Sequence, residues 1–298
     1  MQAVHAGVHM NASGGRTGGG SWRGIWPILV RDPYALASTV WLALMILIAL
    51  LAPLIAPETY GSYDYTHGGA HPELNLRYLF GADVSGHSIL SLIILGARTS
   101  LGVAALATAV ALTIAVVIIY LIARSPRWVQ SSVMFLVDGG MMLPFLPLVI
   151  VLAAFVTGGN PWGFGLILGF CGAPAVVVAA WRSTRYRSAP ITAGDRTKDS
   201  ADPTRVSALA PQEVVRLATL CLSAFLVVAA TVDFIGFGLP PSNPSWGNAL
   251  SEVTQYFDAG YWWWVLFPGL AIFLTLLAIN TLGRAIVLAW DRSCGVAD

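Results

Sequence analysis

Apolar residues in this chain come in long blocks. They show neither the three-to-four spacing of an amphipathic helix nor the alternation of a half-buried strand. A helix needs about 20 such residues to cross the hydrocarbon of a bilayer. Six stretches qualify: 36–56, 99–123, 133–156, 164–181, 214–232 and 264–283. The fourth is short and contains Gly165, Gly169, Gly172 and Pro174. Glycine is nevertheless at home in membrane helices, where it lets neighbours approach closely. Within the third stretch, Gly139-Gly140 with Pro144 and Pro147 are able to break the helix, and an ordinary kink is the expectation. The pattern predicts an all-α membrane protein with six transmembrane helices.

Composition strengthens this reading. Of 298 residues, 56% are hydrophobic and only 10% charged. A soluble domain carries about 25% charged residues and could not cover its surface with so few. The net charge of +1, with no clustering of basic and aromatic residues, excludes a nucleic-acid footprint.

The basic residues set the orientation. With the N-terminus inside, the cytoplasmic segments hold Arg16, Arg23, Arg31, Arg124, Arg127, Arg182, Arg185, Arg187, Arg196, Lys198, Arg205, Arg216, Arg284 and Arg292. Only Arg77 and Arg98 fall outside. Removing any span scrambles this bias, which the positive-inside rule requires. Six spans with both termini cytoplasmic therefore fit best. The outer segments carry Glu58, Asp64, Glu73, Asp83, Asp233, Glu252 and Asp258, an acidic face suited to a basic patch on a partner.

The remaining segments divide the chain further. Residues 1–30 form a cytoplasmic N-terminal segment; its first 25 residues are rich in Gly, Ser and Asn, with disorder expected and no signal-peptide core. Residues 31–98 hold the first span and a long outer segment, 99–290 a core that includes the cytoplasmic loop 182–213, and 291–298 a cytoplasmic tail. Apolar residues from Ile89 to Ile94 suggest an interfacial helix at the outer leaflet. Trp246, Tyr261 and Trp262 to Trp264 read as an aromatic belt at the outer interface.

Most candidate chemistry is missing. The only lysine, Lys198, lacks the glycine spacing of a phosphate-binding loop, so the chain holds no ATP site. There is no zinc-protease motif, no nucleophile elbow and no paired-cysteine motif; Cys171, Cys221 and Cys294 read as inert thiols. No catalytic, cofactor-binding or metal-binding residue is expected. Asp138 is the one clear intramembrane carboxylate. It reads either as a proton or ion site or, in preference, as a structural carboxylate bonded to a neighbouring helix, because one isolated acid makes a poor relay. Asp233 and Arg216 lie at helix ends, within reach of water.

Two stretches carry a family resemblance. Leu79-Phe80-Gly81-Ala82-Asp83-Val84-Ser85-Gly86-His87-Ser88, continuing to Gly96-Ala97-Arg98-Thr99-Ser100-Leu101, resembles the pattern G-T-D-x-x-G-R-D-x-L-S-R-x-x-x-G-A-R-x-S-L. That pattern precedes the second span in permeases of dipeptide and oligopeptide importers. Phe234-Ile235-Gly236-Phe237-Gly238-Leu239-Pro240-Pro241-Ser242-Asn243-Pro244-Ser245-Trp246-Gly247 resembles F-L-G-L-G-x-x-P-P-x-P-S-W-G of the same subunits. Phe267-Pro268-Gly269-Leu270, opening the sixth span, is similar too. The likeness runs from about residue 30 to 290 and is greatest to the C-type permease.

The resemblance implies the type I fold of an ABC importer permease in a bacterial inner membrane. It implies a second permease, two ATPase subunits that bind ATP and magnesium in place of this chain, and an extracytoplasmic peptide-binding protein. It also implies an ATPase-coupling helix in the cytoplasmic loop, where the family's E-A-A-x-x-x-G falls on Ser188-Ala189-Pro190 and Gly194, with Ile191, Arg196 and Lys198 beside them. Here the sequence departs: the glutamate is gone and a proline has entered. Elsewhere Ala82 replaces Thr, His87-Ser88 replaces Arg-Asp, Leu92 replaces Arg, and Arg284 stands where the family often has Asp. Ser188 and Pro190 suit the start of a helix, but little apolar surface follows; either the coupling contact is more electrostatic, or the partner permease carries more of it, or the subunit is degenerate, and the first two together are expected. A related importer of nickel or another small solute, a secondary transporter acting alone, and a non-catalytic scaffold are the alternatives.

Overall fold

The computed structural model describes residues 30–56, 65–156, 158–187, 209–251, 253 and 260–293. Within them the chain is helical, apart from turns and an isolated bridge between Ala82 and Ser88. The helices are α1 (Pro33–Ile55), α2 (Ile89–Ala123), α3 (Arg127–Met141), α4 (Phe145–Val156), α5 (Pro161–Arg187), α6 (Pro211–Ile235), the short α7 (Trp246–Ser251) and α8 (Trp262–Ser293); a 3-10 turn spans Tyr65–His67. Five of them, α1, α2, α5, α6 and α8, are each long and apolar enough to cross a membrane, and α3 with α4 makes a sixth if counted together. The chain is an all-helical, multi-pass membrane protein.

The ends of the helices follow from local chemistry. Asp32 caps α1, its Oδ1 accepting from Tyr34 N at 3.0 Å, and Pro33 occupies the first turn, where no N–H is needed. Ser88 caps α2 through Ser91 N at 3.3 Å. At the far end of α6, Gly236 adopts φ 89°, which only glycine takes without cost. Gly236 N then donates to Asp233 O at 2.9 Å and Phe237 N to Val232 O at 3.1 Å, the paired bonds that close a helix and turn the chain away.

The most extensive helix pairing among the described residues is α2 against α5. A Cβ on Gly165 would come 3.1 Å from Val103 O, and one on Gly169 would come 2.6 Å from Ala107 O. The glycines that weaken the fourth stretch as a hydropathic signal thus provide its packing surface. Ala104, Ala107 and Ala111 line the same seam and are fully buried. Small residues at both sides let the backbones meet, the usual source of association in a membrane where hydrophobicity alone gives no preference.

Three expectations change. The second span begins ten residues earlier than hydropathy suggests: 89–98 is continuous with 99–123 in one helix. Ile89, Leu92, Ile93 and Ala97 are buried, so this segment packs inside the protein and does not lie on the outer leaflet. The third span is no simple kink, since α3 and α4 meet at 78° across residues 142–144. Pro144 disfavours helix at Leu143 and supplies no N–H to the preceding turn, which explains the break. Finally, Trp246, Trp263 and Trp264 are buried, and of this group Trp262 alone is largely exposed among the described residues. They form an internal aromatic core, not a belt facing lipid.

Candidate functional site

The two motif stretches, separated by more than a hundred residues, meet in one buried assembly. Trp246 begins α7 and is fully buried. Its indole Nε1 donates to Ile93 O at 3.0 Å, and its backbone N donates to Ser100 Oγ at 3.1 Å. Gly96 faces it on α2, where a Cβ would sit 3.0 Å from Trp246 Cδ1. Ala97 beside it is buried too. The small pair Gly96-Ala97 is therefore a socket for the tryptophan.

The first motif also folds onto the start of α8. Trp264 Nε1 donates to Ala82 O at 2.7 Å, and Trp263 Nε1 reaches the same oxygen at 3.4 Å. Gly81, at φ 83°, lies against the Trp263 ring, which leaves no space for a side chain. Phe80 stacks on Phe267 with centroids 4.1 Å apart. Asp83 is buried and accepts from His87 N at 2.7 Å through Oδ1, while Oδ2 lies 2.9 Å from His87 Nδ1. Gly86, at φ 82°, makes the turn between them. His87, a departure from the family pattern, thus forms an i,i+4 pair with the motif's aspartate.

In the second motif the organising group is Asp233, which is 3% exposed. Its Oδ1 accepts from Leu239 N at 2.8 Å and its Oδ2 from Ser245 Oγ at 2.7 Å. Gly238 and Gly247 pack directly against Asp233. Ser245 Oγ also accepts from Asn248 N at 3.1 Å, which caps α7. Asn248 Nδ2 ties the loop together by donating to Leu239 O, Pro240 O and Asn243 O. Pro244 is half-buried and Pro241 lies on the surface. This corrects the expectation that Asp233 reaches water. With Asp83 it also leaves the acidic outer face, so neither is available to attract a basic partner.

Other expected site residues are placed differently. Arg98 is exposed on α2. Asp138 is exposed on α3, four residues before the α3–α4 break, and hydrogen-bonds no neighbouring helix among the described residues. The inner side of that break borders a recess of about 360 Å³ with α5 and α6, lined by Met141, Phe145, Cys171 and Phe225 among others. Ser188, Ala189, Pro190, Ile191, Gly194, Arg196 and Lys198 lie outside the described residues, as does Cys294.

The matches to known proteins agree with this arrangement. Residues 20–72 match the family model described as the N-terminal TM domain of oligopeptide transport permease C. The chain is 29% identical over 287 residues to a di/tripeptide transport system permease protein of Pseudomonas aeruginosa, covering 89% of this chain and 90% of the other. It is 29% identical over 286 residues to a dipeptide transport system permease protein of Escherichia coli K12, covering 89% and 91%. A glutathione transport system permease protein of Shigella sonnei is 27% identical over 279 residues, covering 91% and 90%. Together with the fold, these matches support a transmembrane permease component of the dipeptide and oligopeptide ABC type. Such a component is a non-catalytic part of the transporter.

Proposed function

We propose that this chain is one of two permease subunits of an ATP-driven importer of di- and oligopeptides in a bacterial inner membrane. In this reading both termini are cytoplasmic, and α3 and α4 together make the sixth span, giving the type I importer arrangement. The second permease completes the pathway, two ATPase subunits bind ATP and magnesium, and an extracytoplasmic protein delivers peptide. Likeness along nine-tenths of the chain to permeases named for di- and tripeptides carries the reading.

The parts then divide the work. The assembly around Trp246 and Asp233 locks the outer ends of α2, α6 and α8 together, so they move as a body. Residues 182–213 receive the motion of the ATPases, with Ser188, Ala189, Pro190, Ile191, Gly194, Arg196 and Lys198 as the contact. Its cationic composition suits an electrostatic dock. Asp138 is exposed in the single chain. A carboxylate facing lipid is costly, so this surface of α3 turns toward the second permease or a watery pathway. The break after Met141 gives that surface irregular backbone, which membranes tolerate where it lines a cavity or protein.

Uptake of a labelled dipeptide tests the substrate class. Cells lacking this chain are expected to lose uptake, and unlabelled tripeptide to compete with it in the intact strain. Unchanged dipeptide uptake with loss of nickel uptake would instead assign the chain to a small-solute importer.

A further inference from the structure

Away from the motif assembly, an apolar groove of about 550 Å³ runs between α1, α2, α6 and α8. Ala105 and Ala109 of α2 form its floor, and Ile46, Leu222 and Ile279 are among its aliphatic walls. At its foot lie Thr219 and Gly283, where α6 and α8 cross in direct contact. The same two residues border a second recess of about 360 Å³, which carries Arg216, Arg284 and Asn280. The groove therefore changes from an apolar lining, broken only by Thr108 and Thr219, to a cationic one at one helix crossing.

The two arginines are open to a ligand. Arg284 is exposed and makes no ion pair among the described residues. The Arg216 side chain is 55% exposed, and its Nε stands 4.0 Å from Glu213 Oε2, a long contact. A guanidinium has five N–H donors, so most of them remain available. Arg284 also replaces the aspartate expected from the family resemblance, which reverses the charge at this edge of the groove.

We propose that the groove and the two arginines form a binding site for one anionic phospholipid. An acyl chain lies among α1, α2, α6 and α8, and the phosphate is held between Arg216 and Arg284. Basic pockets between membrane helices take anionic head groups for this reason, and arginine binds phosphate through paired charge-assisted bonds. In the topology proposed above, the beginning of α6 and the end of α8 are cytoplasmic, which places the lipid in the inner leaflet. Lipid selection itself does not rest on that topology or on the transport function. Charge favours a phospholipid over a helix of a second subunit, because an apolar helix would leave both arginines without counter-charge.

Native mass spectrometry of the full chain in detergent, with equal amounts of phosphatidylglycerol and phosphatidylcholine of identical acyl chains, tests this. The wild type is expected to retain phosphatidylglycerol preferentially. Arg216→Gln and Arg284→Gln should each lower that preference about fivefold, the equivalent of about 1 kcal/mol per basic residue. The double variant should show none, and the Arg216→Lys/Arg284→Lys pair should recover most of it, which separates lost charge from misfolding. Equal retention of both lipids by the wild type, or an undiminished preference in the double glutamine variant, overturns the proposal. So does protection of Arg284 from phenylglyoxal by the second permease in lipid-free detergent, which would assign the groove to a protein helix.

Discussion

Asp233 illustrates how a single buried carboxylate can organise a loop. Both of its oxygens are used, one by Leu239 N–H and one by the Ser245 hydroxyl, and two glycines close over it. Asp233→Leu would leave those donors buried without an acceptor, a loss of about 1–3 kcal/mol for each. Asp233→Asn keeps an acceptor and should cost clearly less. Unfolding of the two variants in detergent, followed by tryptophan fluorescence, checks this; equal destabilisation would mean that the hydrogen bonds do not matter. The motif glycines, Ser245 and Trp246 were visible in the sequence because they match a long pattern. The roles of Asp233 and His87 were not. A polar residue at the end of an apolar run looks the same whether it reaches water or a neighbouring loop, and only the fold of 236–248 over the helix end decides. A serine six to twelve residues after such an aspartate, within a glycine-rich turn, is the available signal.

Among the helices, hydropathy located the five membrane-length helices and the α3–α4 pair, but not their limits or shape. Lipid sets a minimum length, so the blocks are legible, whereas packing against other protein sets how far a helix continues. That is why α2 extends back to Ile89, where its outer turns are buried under Trp246. It is also why the third stretch could not be resolved into α3 and α4: Gly139, Gly140 and Pro144 permit either a kink or a 78° break. The seam between α2 and α5 makes a direct prediction. Gly169→Ala would drive a methyl to within 2.6 Å of Ala107 O and 2.9 Å of Val110 Cβ. Overpacking of this kind costs about 1–3 kcal/mol, so the variant should melt at lower temperature in detergent. Gly139→Ala, which meets no atom within 4 Å, is the matched control and should be nearly neutral. Similar losses from both would place the sensitivity outside the seam.

For the molecule as a whole, the surface is as informative as the core. Large apolar side chains such as Leu54, Phe135, Met142, Phe155 and Phe170 are exposed in the single chain. In lipid this is ordinary for α1, but the face of α3 also shows Asp138, which lipid does not accommodate cheaply. In the function proposed above, the single chain therefore presents one surface to the bilayer and another to a companion subunit. The arginine count is the argument for the proposed orientation, because charge bias acts during insertion and is written in short loops. A companion is implied only by the resemblance, since no motif in the chain burns ATP. The central claim is that this chain works only within such a complex. Co-purification of tagged chain from detergent-solubilised membranes, followed by ATP hydrolysis with and without peptide-loaded binding protein, tests it most directly. A second permease and two ATPase subunits should come down together, with turnover that rises on adding loaded binding protein and a complex that loosens at high salt. A chain that purifies alone and supports no turnover would contradict the account, and a complex indifferent to salt would remove its electrostatic coupling contact.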